Sequence, residues 1–239
     1  MKLLALTVFL VLASAAQSEW PGERSTRASI NDKLVALVEK LRETLKTGDA
    51  EKGIPCLNPL VVDGLQLSLD KDFASFDVNV TDLVINSLTD FEINQLTFSI
   101  IGVKFTFSFA WPDLTLGGRY AGNGQIANFI PLYGDGDFFA AVKNIAFSGT
   151  VQLSSKNQYL YVKSVDTSVA VGGLKVDVTG ILNSDDVSAL ISAVISDAIP
   201  DLMVDYQSLI TGKLNDLIKT TADKYLGTMT LAELLAMLN

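Results

Sequence analysis

Along the stretch VKFTFSFAW, Val103, Phe105, Phe107, Phe109 and Trp111 hold one parity while Lys104, Thr106 and Ser108 hold the other. A period of two is that of a strand with one buried face. The alternation recurs from Leu60 to about Ile181. Phe76, Val78 and Val80 alternate with Asp77, Asn79 and Thr81; Leu96, Phe98 and Ile100 with Thr97 and Ser99; Leu174, Val176 and Val178 with Lys175, Asp177 and Thr179. Turn signals punctuate the runs at Leu69–Asp72, Gly117-Gly118, Gly122-Asn123-Gly124, Gly134–Asp137, Ser154–Asn157 and Gly172-Gly173. Strands that follow one another with no helix between them predict an antiparallel meander with one dry and one wet face.

Helical periods flank this region. Over Ser29–Lys46, Ile30, Leu34, Leu37, Val38, Leu41 and Leu45 share one face, with Ser29 and Asp32 as a capping pair and Gly48 beyond the end. After Asn183-Ser184-Asp185-Asp186, a run of N-cap residues, Val187, Leu190, Ile191, Val194, Ile195 and Ala198 form a second stripe. Pro200 predicts a kink or restart, and Leu202, Met203, Tyr206, Leu209, Ile210, Leu214, Leu217 and Ile218 carry the stripe on towards Tyr225. Gly227 ends it, and Thr230 with Glu233 make a capping box for a short helix through Leu238. A one-sided sheet this long exceeds what a flat layer carries, so the fold predicted is α+β: a strongly curved antiparallel sheet, residues 60–181, closed by helices in 185–238.

Composition narrows the class. Lys2, the apolar run Leu3–Leu12 and the small residues Ala13–Ala16 read as a secretory signal peptide over residues 1–16, leaving 17–239 as a single exported, extracellular domain. No later stretch approaches a membrane span, so stable membrane insertion is not expected. The net charge of −9, one unit more negative once Lys2 is removed, repels phosphate polymers and anionic surfaces and argues against nucleic acid as a partner. The chain has no histidine, which removes Ser-His-Asp and Cys-His nucleophilic arrangements and the commonest zinc ligand. Its one cysteine, Cys56, cannot close an intrachain disulfide and is either a buried thiol or an intermolecular bridge.

The order of GIPCLNPL (Gly53–Leu60), LTLGGRY (Leu114–Tyr120), the Pro131–Gly136 segment PLYGDG and IPDLMVDYQSLI (Ile199–Ile210) resembles the insect haemolymph juvenile hormone binding protein family, which includes the takeout-like proteins. The resemblance runs over nearly all of the exported chain and rests on the order and spacing of short motifs. It implies a sheet rolled around a long C-terminal helix, an elongated apolar tunnel, and a secreted carrier of terpenoids or other lipid-like molecules. The family pattern usually has two cysteines near the mature N-terminus; here Cys56 stands alone. A more distant likeness, to mite group 7 allergens and tubular lipid-binding proteins, points to the same ligand class.

The candidate chemistry is therefore apolar. Phe105, Phe107, Phe109 and Trp111 either fill the core or line a ligand site, the two readings applying at different ends of the roll. From the helical stripe, Val194, Ile195, Leu202, Tyr206, Leu209 and Ile210 face the same interior, and the hydroxyls of Tyr120, Tyr133 and Tyr206 are candidates to orient a ligand. GDGDFF (Gly134–Phe139) lacks the carboxylates of a calcium loop and reads as a tight turn, and Asp185-Asp186 is explained by the helix dipole. No metal, cofactor or catalytic group is expected. Asn79-Val80-Thr81 is a glycosylation acceptor. The expectation is a non-enzymatic carrier of a hydrophobic small molecule, with any receptor or partner protein unidentified. The alternatives are a surface-acting structural or immune-interaction protein with a filled core, and a hydrolase built on lysine or carboxylate groups alone.

Overall fold

A computed structural model describes residues 30–51, 54–71, 74–126 and 130–238. The signal segment 1–16 and the Ser29 cap lie outside the described residues. Helix α1 (Ile30–Thr47) precedes strands β1 (Leu60–Lys71), β2 (Ala74–Asn86), β3 (Glu92–Ser99), β4 (Lys104–Ile126), β5 (Ile130–Lys156) and β6 (Tyr159–Val178). Helices α2 (Asp185–Asp205), α3 (Gln207–Leu226) and α4 (Leu231–Leu238) follow. The strands form one antiparallel sheet in the order β1-β2-β4-β5-β6, so the fold is α+β. β2 and β3 share the same edge of β4: β2 pairs with residues 115–126 and β3 with 104–110.

The turn predictions need correction. Gly117-Gly118 and Gly122–Gly124 lie inside β4, Gly134–Asp137 and Ser154–Lys156 inside β5, and Gly172-Gly173 inside β6. The GDGDFF segment is likewise strand and not a tight turn. Gly173 has open space beside it, and what Gly118, Gly122, Gly124 and Gly136 provide is close approach between neighbouring backbones. A Cβ on Gly118 would stand 2.8 Å from Thr81 O, and one on Gly122 would stand 2.8 Å from Asp77 O. The sheet curls towards this face so tightly that neighbouring carbonyls occupy the space a side chain would need. The β5–β6 connection is the two-residue turn Asn157-Gln158, both at positive φ. The helix does not restart at Pro200: α2 continues through it, and the break comes at Tyr206, φ −99°, ψ 8°.

Three long strands share a second irregularity. On β4 the protected positions are odd through Trp111, Leu114 to Gly118 are all half-buried, and the protected positions are even from Gly118 onwards; on β5 the switch falls at Lys143–Asn144, and on β6 between Gly173 and Leu174. Register places Pro112, Asn144 and Gly172 side by side at this crossing. Pro112 has no N–H for the ladder, and Asn144 takes φ +52°, a conformation asparagine tolerates. This row divides the sheet into two halves with different contents.

The half that holds residues 104–111 is filled. Phe105, Phe107, Phe109 and Trp111 are buried with Phe91, Phe98, Phe147, Val151 and Val162, and Leu214, Ile218, Ala222 and Leu226 of α3 complete the cluster. The rings interlock: Phe91 meets Phe109 edge-on at 5.5 Å, and Phe107 lies 5.1 Å from Phe147. Trp111 Nε1–H donates to Leu88 O at 3.0 Å, so its polar atom is satisfied inside the core. Helix α1 closes the end with Leu34, Val38, Leu41 and Leu45. Its Arg42 stacks 4.2 Å above Phe91 and donates to Phe91 O at 2.6 Å, while Asn31 Oδ1 accepts from Phe98 N. Cys56 is half-buried, its thiol donating to Lys46 O at 3.1 Å. Thr230 and Glu233 cap α4 reciprocally, with Thr230 N donating to Glu233 Oε2 and Glu233 N to Thr230 Oγ1.

Phe147 is fully buried; Phe147→Ala is expected to lower the unfolding free energy by about 3–5 kcal/mol in a urea titration. Gly122→Ala, which adds one methyl group where Asp77 O already stands, is expected to cost about 1–3 kcal/mol by the same measurement.

Candidate functional site: an apolar trough beside helix α2

Beyond the Pro112–Asn144–Gly172 row, register brings one set of side chains to the curled face. Leu65, Val80, Tyr120 and Gly136 form one cross-strand row, and Leu67, Val78, Gly122 and Gly134 the next. Gly118, Phe138 and Val178 follow in parallel, with Leu116, Ala140 and Val176 beside them. The middle of the face is therefore low, floored by glycine on β4 and β5, with aliphatic walls from β1–β2 on one side and β6 on the other.

Helix α2 attaches at the β6 side through hydroxyl groups. Ser188, Ser192 and Ser196 lie four residues apart on one helical line. Their Oγ atoms accept from the β6-edge amides of Ile181 at 3.0 Å, Val178 at 2.9 Å and Val176 at 2.8 Å. Each hydroxyl also donates back to the carbonyl four residues earlier in the helix, at 2.7–2.8 Å. The next helix continues the pattern: Asp223 Oδ1 accepts from Val162 N and Lys219 Nζ donates to Val162 O. Asn215 Oδ1 accepts from Thr167 Oγ1 at 2.7 Å.

Beside the serine line, a cavity of about 530 Å³ is bounded by Lys175, Asp177, Thr179, Ala189 and Ala193, among others. The apolar stripe, Val187, Leu190, Ile191 and Val194, falls at about 100° per residue on the side of the helix away from the serines, with Leu190 and Val194 most nearly opposite them. Leu190 and Val194 on that stripe are uncovered, while Val187 and Ile191 are half-buried. Leu65, Leu67, Leu190, Val194, Tyr206 and Leu209 are between 44% and 63% exposed, in a chain whose other half buries Phe91, Phe98, Phe105, Phe107, Phe109, Trp111 and Phe147 to 8% or less.

The predicted site residues divide accordingly. Phe105, Phe107, Phe109 and Trp111 sit in the filled core. Val194 and half-buried Ile195 lie on the α2 stripe, Tyr206 and Leu209 are exposed at the α2–α3 break, and half-buried Ile210 packs on the core cluster. The side chain of Leu202 lies outside the described residues. Tyr120 and Tyr133 are on opposite faces: Tyr120 lies over Gly134 in the trough, while Tyr133 is 49% exposed among Asp135 and Asp137. Tyr120 Oη–H donates to Thr179 O at 2.7 Å, spanning from β4 across β5 to the end of β6. Burial first, and then the charge of Asp135, raises the Tyr120 pKa above its ordinary value, so the phenol is a proton donor at neutral pH. Asn79 is exposed on β2, on the face opposite Val80.

Residues that sequence reasoning missed are the three serines, Leu65 and Leu67, and the glycine floor. The serines left a readable signal, a period of four inside an otherwise apolar helix. The leucines left only an alternation on a strand taken as ordinary.

The three serine hydroxyls are what cover these β6 amides. Replacing all three with alanine is expected to speed hydrogen exchange at Val176, Val178 and Ile181 selectively, with about 1–3 kcal/mol lost for each amide left unpaired.

A family model described as haemolymph juvenile hormone binding protein matches residues 4–236. No curated protein sequence matches the chain significantly. Among solved structures, Takeout 1 of Epiphyas postvittana superposes with a TM-score of 0.57 at 16% identity, covering 86% of this chain and 96% of its own. A lipopolysaccharide binding protein gives 0.39 at 15% identity, covering 83% of this chain and 38% of its own.

Proposed function

The chain belongs to the haemolymph juvenile hormone binding protein family, and on that premise we propose that it is a secreted carrier of a hydrophobic small molecule, held in the trough between the curled sheet and the apolar stripe of α2. The observation that carries the reading is the contrast between the two halves. One is filled by its own aromatic side chains, and the other leaves Leu65 and Leu67 of β1 and Leu190 and Val194 of α2 uncovered. A filled core throughout is what a purely surface-acting protein would need, and only one half has it.

Occupancy follows from area. A ligand that hides ~400 Å² of apolar surface gains on the order of 10 kcal/mol before the cost of association, enough for useful affinity without a charged contact. Val194, Ile195, Tyr206 and Leu209 supply apolar contacts. Tyr120, its proton committed to Thr179 O, keeps a lone pair to accept from a ligand hydroxyl. Phe105, Phe107, Phe109 and Trp111 form the packed end beyond the trough and act through its rigidity. A terpenoid, a fatty acid or a related chain fits this chemistry, which has no fixed charge to select a headgroup. The apolar run Leu3–Leu12 supports export, and Asn79, exposed in its sequon, is the proposed glycan site on the outer face.

The purified protein is expected to release lipid on extraction and to bind a fluorescent fatty-acid probe that a terpenoid displaces. L190D/V194D, on exposed positions that leave the core untouched, is expected to weaken probe binding at least about tenfold. Absence of both bound lipid and probe binding in the wild type would end the carrier reading.

A further inference from the structure

The hairpin joining β3 to β4 holds two aliphatic side chains that are exposed among the described residues. Ile101 is 92% exposed and Ile100 54%. The turn beneath them is firmly built. Phe98 and Phe105 are buried at its base with ring centroids 4.5 Å apart. Val103 N donates to Ile100 O at 3.2 Å, Ser99 Oγ–H donates to Ile101 O at 3.0 Å, and Leu153 N donates to Val103 O at 2.8 Å. Gly102 and Val103 take φ of +80° and +46°. For a β-branched residue that conformation is costly, and it persists here because Val103 packs against the core. The tip therefore presents its isoleucines outward as a fixed feature.

The Leu153–Val103 bond also sets the β5–β6 hairpin beside it. The segments 99–104 and 154–159 together contribute exposed Lys104, Lys156 and Tyr159 and contain no carboxylate, within a chain of net charge −9. An aliphatic wedge flanked by tyrosine and lysine matches a lipid interface: isoleucine leaves water for acyl chains, tyrosine rests among headgroups, and lysine reaches phosphate. Charges farther away than about 8 Å are largely screened at physiological ionic strength, and beside the tips Lys104 and Lys156 outnumber Glu233, whose carboxylate is held by Thr230 opposite Tyr159.

We propose that these paired hairpin tips form a peripheral docking site for a lipid surface, with Ile100 and Ile101 entering the acyl boundary and Lys104 and Lys156 meeting lipid phosphates. No helix of the described residues is long and apolar enough to cross a membrane, so the contact is superficial and reversible. It lies at the opposite end of β4 from the trough and does not depend on what the trough holds.

The test is flotation of the full exported chain with vesicles of phosphatidylcholine, with and without phosphatidylserine. The wild type is expected to float with the vesicles, more so with phosphatidylserine. I100S/I101S is expected to lower the partition coefficient at least about tenfold, I101F to raise it, and K104E/K156E to abolish the preference for phosphatidylserine. Tyr133→Ser, on the far end of the sheet, should float as the wild type does. Thermal melts of the variants should match, since Ile100 and Ile101 are exposed. Failure of the wild type to float with either vesicle, including the case of a tip that recognises a protein instead, would overturn the proposal, as would tip variants that float like the wild type.

Discussion

The free edge of β6 is the constraint on which the architecture turns. A sheet in the order β1-β2-β4-β5-β6 ends on a long strand whose outward amides and carbonyls need partners. Helices have no spare backbone donors along their sides, so the partners must be side chains. Serine fills the role on α2 because its short hydroxyl can donate to its own helix and accept from the strand at once. Aspartate, lysine and asparagine fill it on α3. Because the helices are held by this polar seam, the apolar stripe of α2 is not obliged to pack, and its placement beside the sheet leaves apolar surface uncovered.

The two halves of the sheet follow from residue size. Where β4 and β5 present Phe105, Phe107, Phe109, Trp111 and Phe147, the space against α3 and α1 is occupied. Where the same strands present Gly118, Gly122, Gly134 and Gly136, the backbone can curl tightly and no side chain rises at those four positions, with Tyr120 lying over Gly134. The row at Pro112, Asn144 and Gly172 is the change-over, and it shifts which parity is protected on all three long strands. A rigid packed end and an open end on one continuous sheet suit a carrier: the first fixes the shape, and the second can accept a guest without refolding.

Much of this was readable along the chain. The α+β class, the faces of α1 and the capping box of α4 follow from periods and caps that act over a few residues. The switch of parity was also present, since FAW is odd and the leucines of DLTL are even with Pro112 between them. The glycine clusters misled because glycine serves turns and close strand approaches alike, and only the neighbouring strand tells which. Pro200 left the place of the restart open for a related reason: a proline weakens one helical bond, and whether the helix ends there depends on what else holds it.

By itself the sequence determined where the sheet region and its flanking helices lie, which faces are apolar, and that the chemistry is that of apolar surfaces without histidine. These are local properties, set by backbone periodicity and side-chain hydration. Tertiary structure alone decided that Phe105–Trp111 are sealed against α3 while Leu65, Leu67 and Val194 remain uncovered. That outcome depends on strand register and on three serine hydroxyls meeting three distant amides, pairings between residues far apart in the chain that no local pattern encodes.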